Sequence, residues 1–307
     1  IAGSVDFFKE DRSNILLDGN RRSVPSYFGT TAPTANLGEV RTGGYELEMR
    51  WNKSLNNSWR LWGNVFFTHA SNKIIEADDP LLKPEYQKTA NKAIGQTYAH
   101  VDYGYYNNWD ELYGSTAHDE SDDARIPGNY IILDYDADGI ISTFDNIPYG
   151  FTGVPQNSVN TQFGVDYKGW SFFLQFYGVN NVTRYVGLQS LGGVRNTAFD
   201  EGTYWSKDDT QADVPLPRWG TIASGYTNGT RFLYDGSYVR LKYAELSYTF
   251  SGQEWLKKIG LTSLKLYANG NNLFLWTSMP DDRESNTGGY TSYPTQRRFN
   301  FGLRISL

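Results

Sequence analysis

Apolar and polar residues alternate along this chain in segments of about ten residues, the length of a β-strand that crosses a membrane. The clearest segment closes the chain, where Phe299, Phe301, Leu303 and Ile305 alternate with polar residues or glycine. A strand with this pattern has one apolar face and one polar or mixed face. A one-residue phase slip near Ala244 predicts a β-bulge. The pattern predicts eight strands, at about 2–17, 40–52, 58–71, 158–168, 170–183, 237–250, 262–276 and 296–307.

Long and short connections alternate strictly between these strands. The long ones lie at about 18–39, 72–157, 184–236 and 277–295, and the short ones at 53–57, 168–169 and 251–261. Outer-membrane barrels have this asymmetry, because their periplasmic turns are short and their extracellular loops are long. We therefore predict an all-β fold, an antiparallel transmembrane β-barrel with long extracellular loops.

Several charged residues fall within the predicted strands, among them Glu46, Glu48, Arg50, Arg240 and Lys242. The packed core of a β-sandwich does not tolerate unpaired charges, whereas the wet lumen of a barrel does. The alternative is that these residues lie on the solvated face of an ordinary antiparallel sheet. The alternation of connection lengths favours the barrel.

Composition supports strands over helices and excludes some partners. Aromatic residues make up 16% of the 307 residues, which is typical of strands. The mean hydropathy of -0.55, without a long apolar run, excludes a transmembrane helix. There is no cysteine, so disulfides and thiolate metal sites are excluded. The net charge of -6 and the lack of a basic run argue against nucleic acid as a partner.

The chain opens at Ile1 within a predicted strand, without the charged and apolar segments of a signal peptide. We expect it to be a piece of a longer chain or the mature remainder of one.

One segment of the longest loop matches the spacing of a calcium-binding loop. Positions 1, 3, 5, 7, 9 and 12 would be Asp134, Asp136, Asp138, Ile140 (through its carbonyl), Ser142 and Asp145. Gly139 fills position 6, where such loops turn sharply, but Asp145 replaces the usual glutamate. The sequence therefore predicts a structural calcium ion in an extracellular loop, or alternatively a solvated acidic turn.

Aromatic residues are concentrated in the long loops, where flat rings with polar edges suit sugar rings or peptide groups. The residues predicted to bind substrate are Tyr103, Tyr105, Tyr106, Trp109 and Trp205. The alternative is that they pack the loops together or contact a partner protein. The tryptophans at strand ends, Trp59, Trp170 and Trp276, are predicted to lie at the membrane interface.

Signatures of catalysis are absent from the sequence. His69, His100 and His118 lack metal-ligand spacing, and there is neither a nucleophile elbow nor a phosphate-binding loop. The acidic residues near 119–123 are better explained as a solvated loop than as a catalytic carboxylate pair. We predict that the chain is not an enzyme.

Five stretches, in order along the chain, resemble one known family. They are 36–40 (NLGEV) with 44–47 (GYEL), 134–141 (DYDADGII), 237–242 (SYVRLK) leading to 246–250 (LSYTF), 269–274 (NGNNLF), and Tyr293-Pro294 ahead of the last strand. Together they resemble the SusC/RagA family of TonB-dependent outer-membrane transporters from Bacteroidetes. The terminal Leu307 departs from the aromatic residue with which outer-membrane proteins often end.

The resemblance implies a large barrel around an N-terminal plug, located in the outer membrane of a Gram-negative bacterium and in contact with membrane lipid. Transporters of this type have 22 strands, so residues 1–307 would form the C-terminal part of the barrel, with the plug outside this chain. The implied partners are a SusD-like surface lipoprotein, TonB, ExbB and ExbD. The implied activity is import of an oligosaccharide or a peptide.

A second function remains open on sequence grounds, that of a secreted β-protein that binds or cleaves glycans. Aromatic loops and a calcium loop would fit both functions. Only the transporter explains the one-sided loop lengths and the apolar stripe on each strand, because a soluble protein would expose that stripe to water.

Overall fold

The fold is known from a computed structural model. It describes residues 1–119, 125–186, 189–191, 194–197, 203–212, 214–216, 218–219, 229–279 and 295–307. The dipeptide Tyr293-Pro294 and most of the acidic stretch 119–123 lie outside the described residues.

Eight long strands form one antiparallel sheet in which every strand pairs with its neighbours in sequence. They are β1 (Ala2–Leu17), β2 (Ala35–Ser54), β3 (Trp59–Glu76), β4 (Asn157–Tyr167), β5 (Trp170–Asn180), β6 (Tyr238–Ser251), β7 (Ser263–Thr277) and β8 (Arg298–Ser306). The sheet order is β1 to β8, with β1 and β8 at the edges. The prediction of an all-β, antiparallel fold with eight long strands is thereby confirmed.

The strand ends differ from the sequence estimates mainly at the side of the long loops. Strand β2 starts at Ala35, before the estimated residue 40, and β3 runs to Glu76, beyond residue 71. The extension of β2 pairs mainly with the end of β1, Ala35 opposite Leu17, and that of β3 pairs with β2, Ile74 opposite Val40. Since a strand needs only about 9–11 residues to cross a bilayer, the two project well beyond one. The alternation of apolar and polar residues did not predict these extensions, because the extended parts of β2 and β3 do not carry the apolar stripe.

The two faces of the sheet have opposite character along the whole register. Phe172, Leu246, Ala268 and Phe301 lie opposite one another across β5 to β8 and form an apolar face. This face is open, with Phe172 43% and Leu246 48% exposed although both are in interior strands. The other face is polar, and the Asn64 side-chain amide there donates to Gln162 Oε1 at 3.1 Å. The apolar face is therefore turned outward without a protein layer of the described residues covering it.

Aromatic rings of neighbouring strands cover three glycines of the sheet. A Cβ atom at Gly164 would lie 2.0 Å from the Trp62 ring, and one at Gly63 would lie 2.1 Å from the Trp51 ring. Gly302 is covered in the same way by Tyr267. These positions require glycine because the ring occupies the space of a side chain.

The bulge predicted near Ala244 lies two residues earlier. The register of β6 against β7 skips Lys242, between Leu241 and Tyr243, and β5 shows a matching shift between Gln175 and Phe176. The bulge restores the apolar face on both sides of the skipped residue.

The three short connections lie together at one end of the sheet. Lys168 and Gly169 have φ angles of 43° and 91° and form the tight turn between β4 and β5. The connection from β6 to β7 contains the helix α2 (Glu254–Lys258), flanked by Gly252 and Gly260. The left-handed φ angles of both glycines, 73° and 77°, allow the chain to enter and leave this helix sharply.

The long loops lie at the other end and contain the remaining elements. The helix α1 spans Trp109–Tyr113. The short strands are Tyr98–His100, Asp102–Tyr105, Ala117–His118, Tyr130–Ile132, Ile140–Ile141, Asn146–Pro148, Thr183–Tyr185, Gln189–Leu191, Val194–Thr197, Arg218–Trp219 and Leu233–Asp235. Single 3-10 turns span Gly19–Arg21, Ser26–Phe28, Thr143–Asp145 and Thr230–Phe232. Within the described residues no helix is long and apolar enough to span a membrane.

Candidate functional site

The loops from β3 to β4 and from β5 to β6 share one hydrophobic core at the loop end of the sheet. Its buried members are Tyr105, Tyr130, Ile132, Ile141, Trp205, Ala212 and Phe232, with Leu216 packed against them. Tyr130 contacts the ring of Phe232 edge-on, with 5.8 Å between centroids. The two loops therefore form one folded unit.

An ion pair fixes the two loops to each other. Arg231 donates through Nε to the carboxylate of Asp102, whose side chain is only 1% exposed. The Arg231 guanidinium lies 4.5 Å from the ring centre of Tyr105 and 4.7 Å from that of Tyr130. Burial disfavours charge on Arg231, but the hydrogen bond to Asp102 and the attraction of its negative charge together outweigh burial and raise the pKa of Arg231. Burial likewise raises the pKa of Tyr130.

The five aromatic residues predicted to bind substrate fall into two groups. Tyr105, Tyr106 and Trp205 are buried. Tyr105 and Trp205 pack in the loop core, and the ring centre of Tyr106 lies 6.0 Å from the guanidinium carbon of Arg125. Their geometry corresponds to the alternative stated above, that they hold the loops together.

Tyr103 and Trp109 are the two exposed members. Trp109 begins α1, which is capped by Asn108 accepting from the Glu111 amide at 2.8 Å. One helical turn later Tyr113 stacks on Trp109, with 5.8 Å between the ring centres and 25° between the planes. Trp109 is 50% and Tyr113 80% exposed, so this pair presents aromatic surface to the solvent. A protein or carbohydrate ligand could stack against such a surface.

The first three aspartates of the predicted calcium loop are brought together. Side-chain oxygens of Asp134, Asp136 and Asp138 lie within 4.8 Å of one another. Asp134 Oδ2 accepts from the Gly139 amide at 3.0 Å, while its Oδ1 is buried and has no hydrogen-bond partner among the described residues. Burial and the neighbouring carboxylates raise the pKa of Asp136. This donor set fits a hard cation that takes oxygen ligands.

The last two side chains of that loop point elsewhere. Asp145 is fully buried and accepts from the amides of Tyr135 at 2.6 Å and Ser142 at 2.7 Å. Ser142 Oγ accepts from the Phe144 amide, so the two side chains cap the 3-10 turn Thr143–Asp145. The short side chain of Asp145, at position 12, thus hydrogen-bonds to the loop backbone. Only the carboxylates of Asp134, Asp136 and Asp138 remain clustered.

The opposite end of the sheet carries a row of aromatic rings on the apolar face. We name it the turn-end aromatic row, and its members are Trp59, Tyr167, Trp170, Tyr248, Phe250 and Trp255. Trp59 stacks on Tyr167 with centroids 4.2 Å apart, and Trp170 meets Tyr248 at 4.9 Å. Trp276, at the loop end of β7, stacks with Phe274 at 6.2 Å. Aromatic rings at the ends of membrane strands lie at the lipid–water interface.

Comparisons with known proteins give two related groups of matches, although no protein-family model matches the chain. The chain is 28% identical to TonB-dependent receptor P3 of Formosa agariphila, over 98% of this chain and 32% of the receptor. It is 23% identical to TonB-dependent receptor P26 of the same organism, over 100% of this chain and 33% of that receptor. It thus spans about a third of the length of the curated relatives it matches.

Solved structures show the same fold. The RagAB peptide transporter aligns with a TM-score of 0.66 at 17% identity, covering 99% of this chain and 33% of the matched chain. The RagAB peptide importer in its closed-closed state aligns with a TM-score of 0.64 at 18% identity and the same coverage. These proteins are named as receptors and as a peptide importer, in agreement with the prediction of a non-enzymatic chain. The resemblance to TonB-dependent transporters of the SusC/RagA type is confirmed over the whole length of the chain.

Proposed function

We propose that the whole protein imports a nutrient across the outer membrane of a Gram-negative bacterium and that this chain is the C-terminal part of its barrel. The observation that carries the proposal is the open apolar face shared by all eight strands, together with long loops at one end and short turns at the other. Water would make such a face unfavourable, whereas lipid hydrocarbon suits it. The short turns then lie in the periplasm and the long loops outside the cell.

The partners follow from the type of transporter. A SusD-like surface lipoprotein would cover the long loops, and TonB with ExbB and ExbD would supply the energy through a plug domain outside this chain. The RagAB neighbours, described as a peptide importer, and the two Formosa receptors, described as TonB-dependent, support this assignment. A Bacteroidetes source is consistent with the Formosa relatives.

Membrane extraction tests the location. The full-length protein should stay in the outer-membrane fraction and be released only by detergent. Recovery in the soluble fraction without detergent would contradict the proposal and favour the secreted glycan-binding protein.

The transported substrate is an oligosaccharide or a peptide, and we propose that Tyr103 and Trp109 contact it, with Tyr113 as an added member. These side chains are exposed, unlike Tyr105, Tyr106 and Trp205. Stacking on an aromatic ring suits both the apolar face of a sugar and the side chain of a peptide.

Binding to the purified complex, by calorimetry with an oligosaccharide pool and a peptide pool, tests this surface. The double variant Trp109→Ala/Tyr113→Ala should weaken the binding of whichever pool binds. Tyr27→Ala is the control, because Tyr27 is also an exposed aromatic residue but lies in a different loop. Equal losses in both variants, or no loss in either, would remove Trp109 and Tyr113 from the site.

We also propose that Asp134, Asp136 and Asp138, with the Ile140 carbonyl, hold a structural calcium ion. The clustered carboxylates would repel each other without a cation, and the unpartnered oxygen of Asp134 has the geometry of a free ligand. Ser142 and Asp145 shape the loop and bind the ion at most indirectly. Calcium binding measured by calorimetry should be lost in Asp136→Asn and kept in Asp119→Asn. Heat of binding that survives Asp136→Asn would reduce the motif to an acidic turn.

A further inference from the structure

The turn end of the sheet, which we define as residues 53–58, 168–169 and 252–262, has a charge opposite to that of the whole chain. It contains Lys53, Lys168, Lys257 and Lys258 but only one carboxylate, Glu254, whereas the chain carries a net charge of -6. All four lysines are exposed. Within the described part of the chain none of them forms an ion pair. These cations are therefore available to an anionic partner.

The helix α2 joins these charges to the apolar face. Leu256 is fully buried and gives the helix a buried side, while Trp255 and Ile259 are exposed. The Trp255 ring lies 5.9 Å from that of Phe250, the last apolar residue of β6. Trp255 thus extends the turn-end aromatic row, and Lys257 and Lys258 follow it in sequence after Leu256. An exposed tryptophan beside exposed lysines is the composition of a membrane-interface segment.

A second cationic position lies between the first two turns. A cavity of about 470 Å³ there is lined by hydroxyl and amide groups of 54–58 and by the rings of Trp59 and Trp170. Its charged residues are Lys168, Arg60 and Asp166; Arg60 pairs with Asp166 at 3.8 Å, which leaves Lys168 as the cation without a carboxylate partner among the described residues. The Lys168 ammonium lies 5.4 Å from the ring centre of Tyr167, so it sits directly at the aromatic row. Amide, hydroxyl and cationic groups together suit a phosphate, and the rings beside them suit the start of an acyl chain.

We propose that the turn end binds anionic phospholipid of the inner, periplasmic leaflet, with phosphate groups at Lys168 and at Lys257 and Lys258. The acyl chains lie against the turn-end aromatic row, which continues directly into the lipid-facing apolar face. This inference rests on the proposed function only in requiring that the apolar face contact lipid. Lysines close to an anionic leaflet each add to its attraction.

The test uses the full-length protein in nanodiscs that contain equal amounts of phosphatidylglycerol and phosphatidylcholine. Native mass spectrometry counts the lipids that remain bound after the protein is released from the nanodisc. The wild-type protein should retain phosphatidylglycerol several-fold over phosphatidylcholine. The variant Lys257→Gln/Lys258→Gln and the variant Lys168→Gln should each lower this ratio, and Lys257→Arg/Lys258→Arg should keep it.

The matched control is Lys73→Gln/Lys207→Gln, which removes two exposed lysines from the loop end. It should leave the lipid ratio unchanged. Equal retention of both lipids by the wild type, or equal losses in the turn-end and loop-end variants, would overturn the inference. Heat-modifiable migration on gels would show that all variants are folded.

Failure of this inference is distinguishable from failure of the proposed function. If the protein remains in the membrane and imports its substrate but shows no preference for phosphatidylglycerol, only the lipid site is wrong. If a periplasmic protein occupies the turn end instead, the lysine variants should lose that protein and leave the lipid ratio unchanged, which also contradicts the lipid site.

Discussion

The sheet and the loops of this chain place their large apolar side chains in opposite surroundings. In the sheet, alternate residues such as Phe172 and Leu246 are nearly half exposed although they lie in interior strands. In the loops, Tyr105, Tyr130 and Trp205 are almost fully buried in a shared core. The difference shows that the loops have a buried hydrophobic core of their own, whereas the apolar side chains of the sheet face outward, an arrangement suited to contact with lipid hydrocarbon.

The two ends of the sheet also differ in whether their charged side chains are buried or exposed. The loop end uses the buried pair Arg231–Asp102 to hold two loops together. The turn end leaves Lys168, Lys257 and Lys258 exposed beside aromatic rings. The buried pair at the loop end thus holds two loops together, whereas the lysines at the turn end are open to the surroundings.

Replacing Arg231 should have the largest effect. Arg231→Leu leaves the buried carboxylate of Asp102 without its cation, which should cost about 3–5 kcal/mol of loop stability. Limited proteolysis of the full-length protein should then cut the loops between β3 and β4 and between β5 and β6, while the sheet stays intact. The control Lys88→Ala removes an exposed pair with Glu85 and should cost less than about 1 kcal/mol. Equal protease resistance of Arg231→Leu and the wild type would mean that the pair does not hold the loops.

A charge on the apolar face should have the next largest effect. Leu303→Arg should cost about 2–4 kcal/mol if this residue lies near the bilayer midplane. The matched control is Asn300→Arg, because Asn300 lies on the polar face, where it donates to Asn269 at 2.8 Å. Gly302 is unsuitable as a control, since the Tyr267 ring covers it. Unfolding by urea of the protein in lipid vesicles gives the free energy of unfolding of each variant. A larger loss of stability in Asn300→Arg than in Leu303→Arg would show that the faces are reversed.

Filling a ring-covered glycine should have a smaller effect. Gly164→Val forces the Trp62 ring away from its position and should cost about 1–3 kcal/mol, as overpacking does. Trp62→Ala in the same chain should recover part of the loss, because it removes the clashing ring. The control is Gly153→Val, where the nearest atom to an added Cβ is 3.8 Å away. Urea unfolding measures all three, and equal stability of Gly164→Val and Gly153→Val would contradict the account.

Neutralising Asp78 should have the smallest effect and should depend on pH. Arg22 donates to Asp78 at 2.7 Å, and this hydrogen bond lowers the pKa of the Asp78 carboxyl. Because the folded pKa lies below the unfolded value of about 3.9, the pair stabilises the protein above that pH and is lost as the pH falls further. The unfolding temperature of Asp78→Asn should therefore lie below that of the wild type at neutral pH, and the gap should close below about pH 3.9. A gap that persists there would assign the effect to packing.

The strands of the sheet could be predicted from sequence, because alternation has a period of two and each strand repeats it. Phe299 to Ile305 are the clearest example. The same argument fails in the loops, where the chain turns often and no period decides which ring is buried. Tyr103 and Tyr105 differ by only two residues, yet the first is exposed and the second lies in the core.

Contacts between distant segments were also beyond prediction. Asp102 and Arg231 are 129 residues apart in sequence, and neither has a local pattern that identifies its partner. The calcium spacing correctly indicated that Asp134, Asp136 and Asp138 lie together. It gave no sign that Asp145 would bind backbone amides, because that depends on the 3-10 turn that follows Ser142.

The most direct test of the account is the environment of β8 in the full-length protein. The chain contains no cysteine, so single cysteines at Phe301, Leu303, Asn300 and Arg304 can each carry one spin label in this region. In lipid vesicles the labels at Phe301 and Leu303 should collide more with oxygen, which dissolves in hydrocarbon, and those at Asn300 and Arg304 more with a water-soluble nickel complex. Equal accessibility of all four positions to the nickel complex would contradict the claim that the apolar face contacts lipid.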